Sequence, residues 1–110
     1  MMTDAQSSIS FLEGFLSLAK RIEQNSLAVY SLRFDSLIFG SWILVAGTRK
    51  NRAQVTWDGK DFVLTCAVSS FQNASSHPIW RPAGSQATTP GDDVGMFAAA
   101  EQLIYRALGA

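Results

Sequence analysis

The fold of this chain is decided by one stretch, Ala53-Gln54-Val55-Thr56-Trp57-Asp58-Gly59-Lys60-Asp61-Phe62-Val63-Leu64-Thr65-Cys66. Apolar and polar residues alternate on both sides of Asp58-Gly59, a pattern typical of two half-buried strands joined by a tight turn. A two-residue type I′ turn needs positive φ at both central positions, and Asp-Gly is a dipeptide that supplies it. The stretch therefore predicts a β-hairpin.

That turn also predicts a register for the hairpin. The predicted cross-strand pairs are Trp57 with Lys60, Val55 with Phe62 and Ala53 with Leu64. In this register one face of the hairpin collects the larger apolar residues and continues to Cys66. We therefore expect Cys66 to be a buried small hydrophobe and not a nucleophile. It is the only cysteine, so no intramolecular disulfide can form.

A helix is predicted at each end of the chain. Ser10 and Glu13 match a capping box, and an apolar stripe at helical spacing follows, so the first helix is predicted over residues 10–24. The second is predicted to start at Thr89, with Pro90 at its first position and acidic residues near the amide dipole. Its apolar stripe consists of Met96, Phe97, Ala100, Leu103, Ile104, Ala107 and Leu108.

In residues 37–46 both sets of alternating positions are mainly apolar, so that a strand here would have two apolar faces. Such a strand is usually central in its sheet and covered on each side. Because only two helices are available, we expect a second subunit to cover one face, which predicts a homodimer. Residues 27–34 are β-like as well.

Residues 71–91 contain all three prolines and are predicted to be a long loop. Trp80 lies on this segment between Ile79 and Arg81. Because Trp and Arg dominate binding hot spots, these three residues form a candidate interface anchor; the alternative is that Trp80 folds back on the sheet.

Together these patterns predict a single α+β domain over residues 9–110, preceded by a mobile tail at 1–8. Its sheet is antiparallel with three to four strands, in the order α-β-β-β-β-α. The ending Phe97-Ala98-Ala99-Ala100-Glu101-Gln102-Leu103 looks like the alanine-rich last helix of double-stranded-RNA-binding domains. Those domains open that helix with a lysine cluster, whereas here Asp92 and Asp93 would repel phosphate, so the resemblance is topological only.

Composition excludes several classes of protein. The nine basic and nine acidic residues cancel, so there is no whole-domain positive field for nucleic acid. Residues 1–8 lack a signal-peptide pattern and residues 37–47 are too short to cross a bilayer, so we expect a cytoplasmic protein. His77 is the only histidine, and with Cys66 it supplies too few ligands for a metal site. No cofactor motif is present, and we expect no catalytic residue.

One basic cluster remains, formed by Arg49, Lys50 and Arg52 at a hairpin tip. It is either a solvated turn or a phosphate-binding tip. Three functions follow as hypotheses. The favoured one is a non-catalytic, homodimeric protein-binding or assembly module; the alternatives are a nucleic-acid binder using the basic tip, and an enzyme or small-ligand protein with a pocket between the sheet and residues 71–91.

Overall fold

The structure is a computed structural model that describes residues 4–35, 40–70 and 79–109. The elements in this part of the chain are α1 (Asp4–Gln24), β1 (Ala28–Asp35), β2 (Ser41–Gly47), β3 (Asn51–Asp58), β4 (Val63–Ser70), β5 (Arg81–Ala87) and α2 (Asp93–Leu108). The strands form one antiparallel sheet in the order β1-β2-β3-β4-β5. The predicted α+β class is confirmed, with five strands where three to four were expected.

Both helices pack on the same side of the sheet, which we call the helix face. The buried strand residues on this face are Trp42, Leu44, Ala46, Ala53, Val55, Trp57, Leu64 and Cys66. They form one core with the apolar stripes of α1 and α2. The opposite side, on which no described helix packs, is called the outer face. The predicted stripe of α2 and the predicted burial of Cys66 are both confirmed.

The decisive hairpin is present, but its turn differs from the prediction. The loop has four residues, 59–62, and Trp57 pairs with Leu64, four positions further along β4 than predicted. The positive φ falls on Phe62 (55°) and not on Asp58 or Gly59. The Asp58 carboxylate accepts hydrogen bonds from the amides of Lys60 (2.9 Å) and Asp61 (3.3 Å), which favours a wider Asx-type turn.

Two contacts hold this wider loop in place. The ring of Phe62 packs edge-on against Trp57, with 6.2 Å between the ring centroids, which offsets the strain of a positive φ. The Phe62 carbonyl accepts hydrogen bonds from the amide and the hydroxyl of Thr88, both at 2.8 Å. Because a shift of four positions is even, the residues that remain in the two strands keep their predicted faces.

The loop predicted over residues 71–91 contains β5, so that part of the prediction is wrong. Arg81–Ala87 pairs with β4 despite Pro82 and Gly84, both poor strand formers. An edge strand tolerates proline because one side of its backbone needs no partner. The irregular register near Gly84 (φ 158°) marks a bulge. Residues 71–78, which include His77, lie outside the described residues.

Both predicted helix starts are wrong, although both helices exist. Helix α1 begins at Asp4, so that Ser10 lies inside it and caps nothing, and residues 4–8 of the predicted tail are helical. Helix α2 is capped by Asp92, whose carboxylate accepts a hydrogen bond from the Gly95 amide at 3.0 Å. Thr89 instead accepts the Asp92 amide in the turn before the helix. For α2, the Asp92 carboxylate thus takes the capping role that was predicted for Thr89.

Candidate functional site on the outer face of the sheet

The outer face is built by the strand alternation that leaves the helix face apolar. Two cross-strand rows run over it side by side, from β1 to β5. The first row is Arg33, Ile43, Thr56, Thr65 and Ser85, and the second is Ser31, Val45, Gln54, Ala67 and Pro82. Apart from Arg33 at one end, these side chains are uncharged, and most are small, hydroxylic or amide-bearing.

A groove of about 510 Å³ lies on this face beneath Trp80. Its polar side chains are Gln54, Thr56, Thr65 and Ser85. Trp80 itself is half-buried, whereas the other two tryptophans, Trp42 and Trp57, are buried on the helix face. Trp80 therefore folds back on the sheet, as in the second of the two positions considered for it. Part of its indole ring remains exposed to solvent.

A second hollow of about 270 Å³ lies nearer β1. Arg33, Asp35, Ser41 and Ile43 line it, and Thr56 belongs to both hollows. The two hollows therefore meet in the middle of the sheet. Together they form one open path, which we call the outer groove, with an aromatic side chain at the β5 end and two opposite charges at the β1 end.

The predicted basic cluster is divided by the structure. Arg49 and Lys50 lie exposed in the turn between β2 and β3. Arg52 belongs to β3 and extends over the outer face, where its guanidinium carbon lies 3.9 Å from the centre of the Tyr30 ring. This distance is within the range of a cation–π contact. The tip therefore presents two of the three predicted cations.

The predicted anchor of Ile79, Trp80 and Arg81 is divided as well. Trp80 lines the outer groove, whereas Ile79 is 77% exposed and does not. Arg81 lies on the opposite side of the sheet, beside Ala107 and Leu108 at the end of α2. Successive residues of an extended chain point to opposite faces, so adjacent residues could not have shared one site.

Cys66 borders the groove, but its side chain is buried in the core. Its Sγ donates a long hydrogen bond of 3.9 Å to the Leu103 carbonyl of α2. Burial raises the pKa of the thiol to about 11, so that it is protonated at neutral pH. A protonated, buried thiol is a poor nucleophile.

Two further properties bear on the class of site. Among the residues that the structure describes, no three His, Cys, Asp or Glu side chains come together as potential metal ligands. No helix in the described ranges is long and apolar enough to cross a membrane.

Comparison with protein families, with curated proteins and with solved structures finds no match to this chain. Its function must therefore be argued from its own geometry. The sequence did not single out Gln54, Thr65 and Ser85 as site residues. The alternation of apolar and polar residues in the hairpin could have identified Gln54 and Thr65 as site residues, because both fall on its polar side. Ser85 had no such signal, since its strand was not predicted.

Proposed function

We propose that this protein is a cytosolic, non-catalytic protein-binding module, and that its working surface is the outer groove. The observation that carries this proposal is the composition of the groove: hydroxyl and amide side chains in cross-strand rows, with one partly accessible tryptophan above them. These groups bind by hydrogen bonding and by apolar contact.

The chemistry of the groove favours an extended, mostly uncharged segment of a partner protein. Gln54, Thr56, Thr65 and Ser85 each offer both donors and acceptors, which suits the alternating N–H and C=O groups of a peptide backbone. Trp80 offers a flat apolar surface for one side chain of such a segment, the usual role of an aromatic hot spot. Among the described residues that line the groove, the charged side chains stand near the β1 end, so a charged segment would find no partners along the rest of this lining.

The two alternative functions receive less support. With Arg52 packed on Tyr30, nucleic acid would meet Arg49 and Lys50 at the tip, and two phosphate contacts give weak attraction. A small-ligand protein would use the same groove. The open, shallow shape favours a peptide, because small-molecule sites bury most of their ligand.

The proposal is tested by selecting peptides from a phage-displayed random heptapeptide library on the immobilised full chain. We expect wild-type protein to enrich uncharged sequences. A selected peptide, made synthetically, should bind Trp80→Ala more weakly by about 2 kcal/mol, which is roughly a thirtyfold higher Kd. Thr65→Arg should also weaken binding, because it places a long charged side chain at the centre of the groove.

The matched control is Val94→Glu, a substitution at an 82% exposed residue of α2 outside the groove. It should bind the peptide as wild type does. Enrichment of no sequence, or a peptide that binds wild type, Trp80→Ala and Thr65→Arg equally well, would contradict the proposal.

A further inference from the structure

We propose that two copies of this chain pair through the open edge of β1, joining their sheets into one of ten strands, while their α1 helices meet above the joint. This contact lies apart from most of the outer groove and does not depend on its function. It also differs from the homodimer predicted from the sequence, in which the second copy covered a face of β2.

The first support is a difference between the two edges of the sheet. Both edge strands show one irregularity of register, between Val29 and Ser31 in β1 and opposite Cys66 and Ala67 in β5, but β5 also carries Pro82 and Gly84, which oppose pairing with another strand. The other edge strand, β1, has the sequence AVYSLRFD, with neither proline nor glycine. It is rich in β-branched, aromatic and aliphatic residues, so its open edge is well suited to accept a further strand.

The second support is an exposed apolar strip on α1. Ile9, Leu12 and Leu16 are 58%, 37% and 43% exposed, and their spacing of three and four residues places them on one flank of the helix. Isolated exposed aliphatic residues are ordinary, but three in one line form a continuous apolar surface.

The position of α2 shows where this strip points. Gly14 of α1 lies against the ring of Phe97, and the Arg21 guanidinium donates to the Glu101 carboxylate at 2.8 Å. Gly14 and Arg21 therefore lie on the flank that faces α2. At 100° per residue, Leu12 and Leu16 lie on the other side of the buried stripe. The strip consequently points away from α2, toward the β1 side of the molecule.

The strip and the open edge are level with each other. Phe11 and Phe15 of α1 both pack against Phe34 of β1, with centroid separations of 5.6 and 6.4 Å. Leu32, which points to the helix face, remains 40% exposed beside them. Helix and strand thus present one combined surface, with backbone hydrogen-bonding groups below and apolar side chains above.

A second copy is the occupant that matches both parts of this surface at once. A two-fold axis perpendicular to the sheet makes β1 antiparallel to its copy, which is a hydrogen-bonding arrangement, and makes the two apolar strips face each other. The charged residues of β1 are Arg33 and Asp35, whose charges cancel, so two such strands meet without net repulsion.

The area is sufficient for a small dimer. An eight-residue strand is about 27 Å long, and one sheet layer with one helix layer is about 20 Å high, which gives roughly 550 Å² per copy. The total of about 1,100 Å² exceeds the roughly 1,000 Å² expected of a biological interface and falls just below the range of stable interfaces, which begins at about 1,200 Å². We therefore expect a dimer whose dissociation is measurable by dilution.

The test is sedimentation velocity of the full chain, combined with hydrogen exchange. Wild type should sediment as two 12.0 kDa chains and dissociate on dilution. The double variant Leu12→Glu/Leu16→Glu should sediment as one chain at the same concentration with an unchanged circular dichroism spectrum, since both side chains are already partly exposed. Amides of β1 should exchange faster in this variant, and amides of β5 should not change.

Three further variants make the result decisive. Val94→Glu adds a similar charge elsewhere and should remain dimeric; Leu32→Lys should be monomeric and serves if the double variant fails to fold. Thr65→Arg should also remain dimeric, which separates this proposal from a dimer through the outer face. A wild-type monomer at about 100 µM, well above the Kd expected of a specific interface, would overturn the proposal. So would a dimer that survives both Leu32→Lys and Leu12→Glu/Leu16→Glu, or one that Thr65→Arg disrupts.

Discussion

The two faces of the sheet use the same strands for opposite purposes. On β3, Ala53, Val55 and Trp57 are buried under the helices, while Gln54 and Thr56 between them line the outer groove. Strand β2 differs, because Ile43 and Val45 make its outer side apolar as well. Because successive side chains of a strand point to opposite faces, one set of residues can stabilise the core while the other set forms a binding surface.

The largest effect should come from matched substitutions on the two faces. Val55→Ala removes two methyl groups from a site with 0% exposure and should cost about 2–3 kcal/mol, the transfer free energy plus a cavity. Val45→Ala makes the same change on the outer face, where the side chain is half-buried, and should cost about 1 kcal/mol or less. Urea denaturation at equal m-value measures both. Equal losses would show that the outer face is as tightly packed as the helix face.

The next largest loss of stability is expected from a substitution where α1 packs against α2. These two helices cover only the helix face of the sheet. A Cβ on Gly14 would lie 2.7 Å from the Phe97 ring, so that Gly14→Ala should cost about 1–3 kcal/mol in overpacking. The gain in helix propensity, about 1 kcal/mol, offsets part of this cost. Thermal unfolding should therefore show a modest net loss.

Gly14→Ala in a Phe97→Leu background provides the control. In that background the leucine side chain is smaller than the phenylalanine ring, so the overpacking cost should disappear. Gly14→Ala should then increase stability through helix propensity alone. A Gly14→Ala variant that is more stable than wild type would mean that the two helices can move apart without cost.

A smaller loss of stability is expected from changing the loop between β3 and β4, which sets the register of this strand pair. Asp58→Ala removes the acceptor for two loop amides, and should cost about 1 kcal/mol. Asp58→Asn keeps an acceptor oxygen and should cost less. Chemical denaturation measures the difference, and equal values for the two variants would show that the side-chain oxygen does not hold the turn.

The smallest effect is a pH dependence at the contact between the two helices. Burial raises the pKa of Glu101, but hydrogen bonds from Tyr105 (2.7 Å) and Arg21 and the charge of Arg21 outweigh it, so the pKa is lowered overall. The contribution of this carboxylate is therefore present above its unfolded pKa and lost as pH falls through the folded value. The stability difference between wild type and Glu101→Gln should shrink on acidification below about pH 4.

Tyr105 should show the opposite sign in the same cluster. Burial raises the pKa of Tyr105 to about 12, together with the negative charge of Glu101 and the hydrogen bond that the Tyr105 hydroxyl donates to its carboxylate. Its contribution is complete below about pH 10, the usual tyrosine value, and is lost as pH approaches 12. The stability difference between wild type and Tyr105→Phe should follow that course, and a difference independent of pH would show that the hydrogen bond contributes nothing.

Much of the site was contained in the alternation of the hairpin. Gln54, Thr56 and Thr65 could be assigned to the polar face from the sequence, because an even register error leaves faces unchanged. The turn type could not, since Asp58-Gly59 fits both a tight and a wider loop, and the contact of Phe62 with Trp57 decides between them. Neither could β5, because Pro82 and Gly84 oppose a strand locally and only pairing with β4 supports it.

By itself, then, the sequence determined the class of fold, the core residues of the hairpin and of α2, and the burial of Cys66. These follow from the periodicities of two and 3.6 residues, which act over short distances along the chain. Only the tertiary structure decided that both helices share one face, that Trp80 lies over the outer groove while Arg81 lies on the opposite side of the sheet, and that α1 leaves an apolar strip beside the edge strand β1. Those features depend on which distant segments meet, and that is settled by the packing of the whole core.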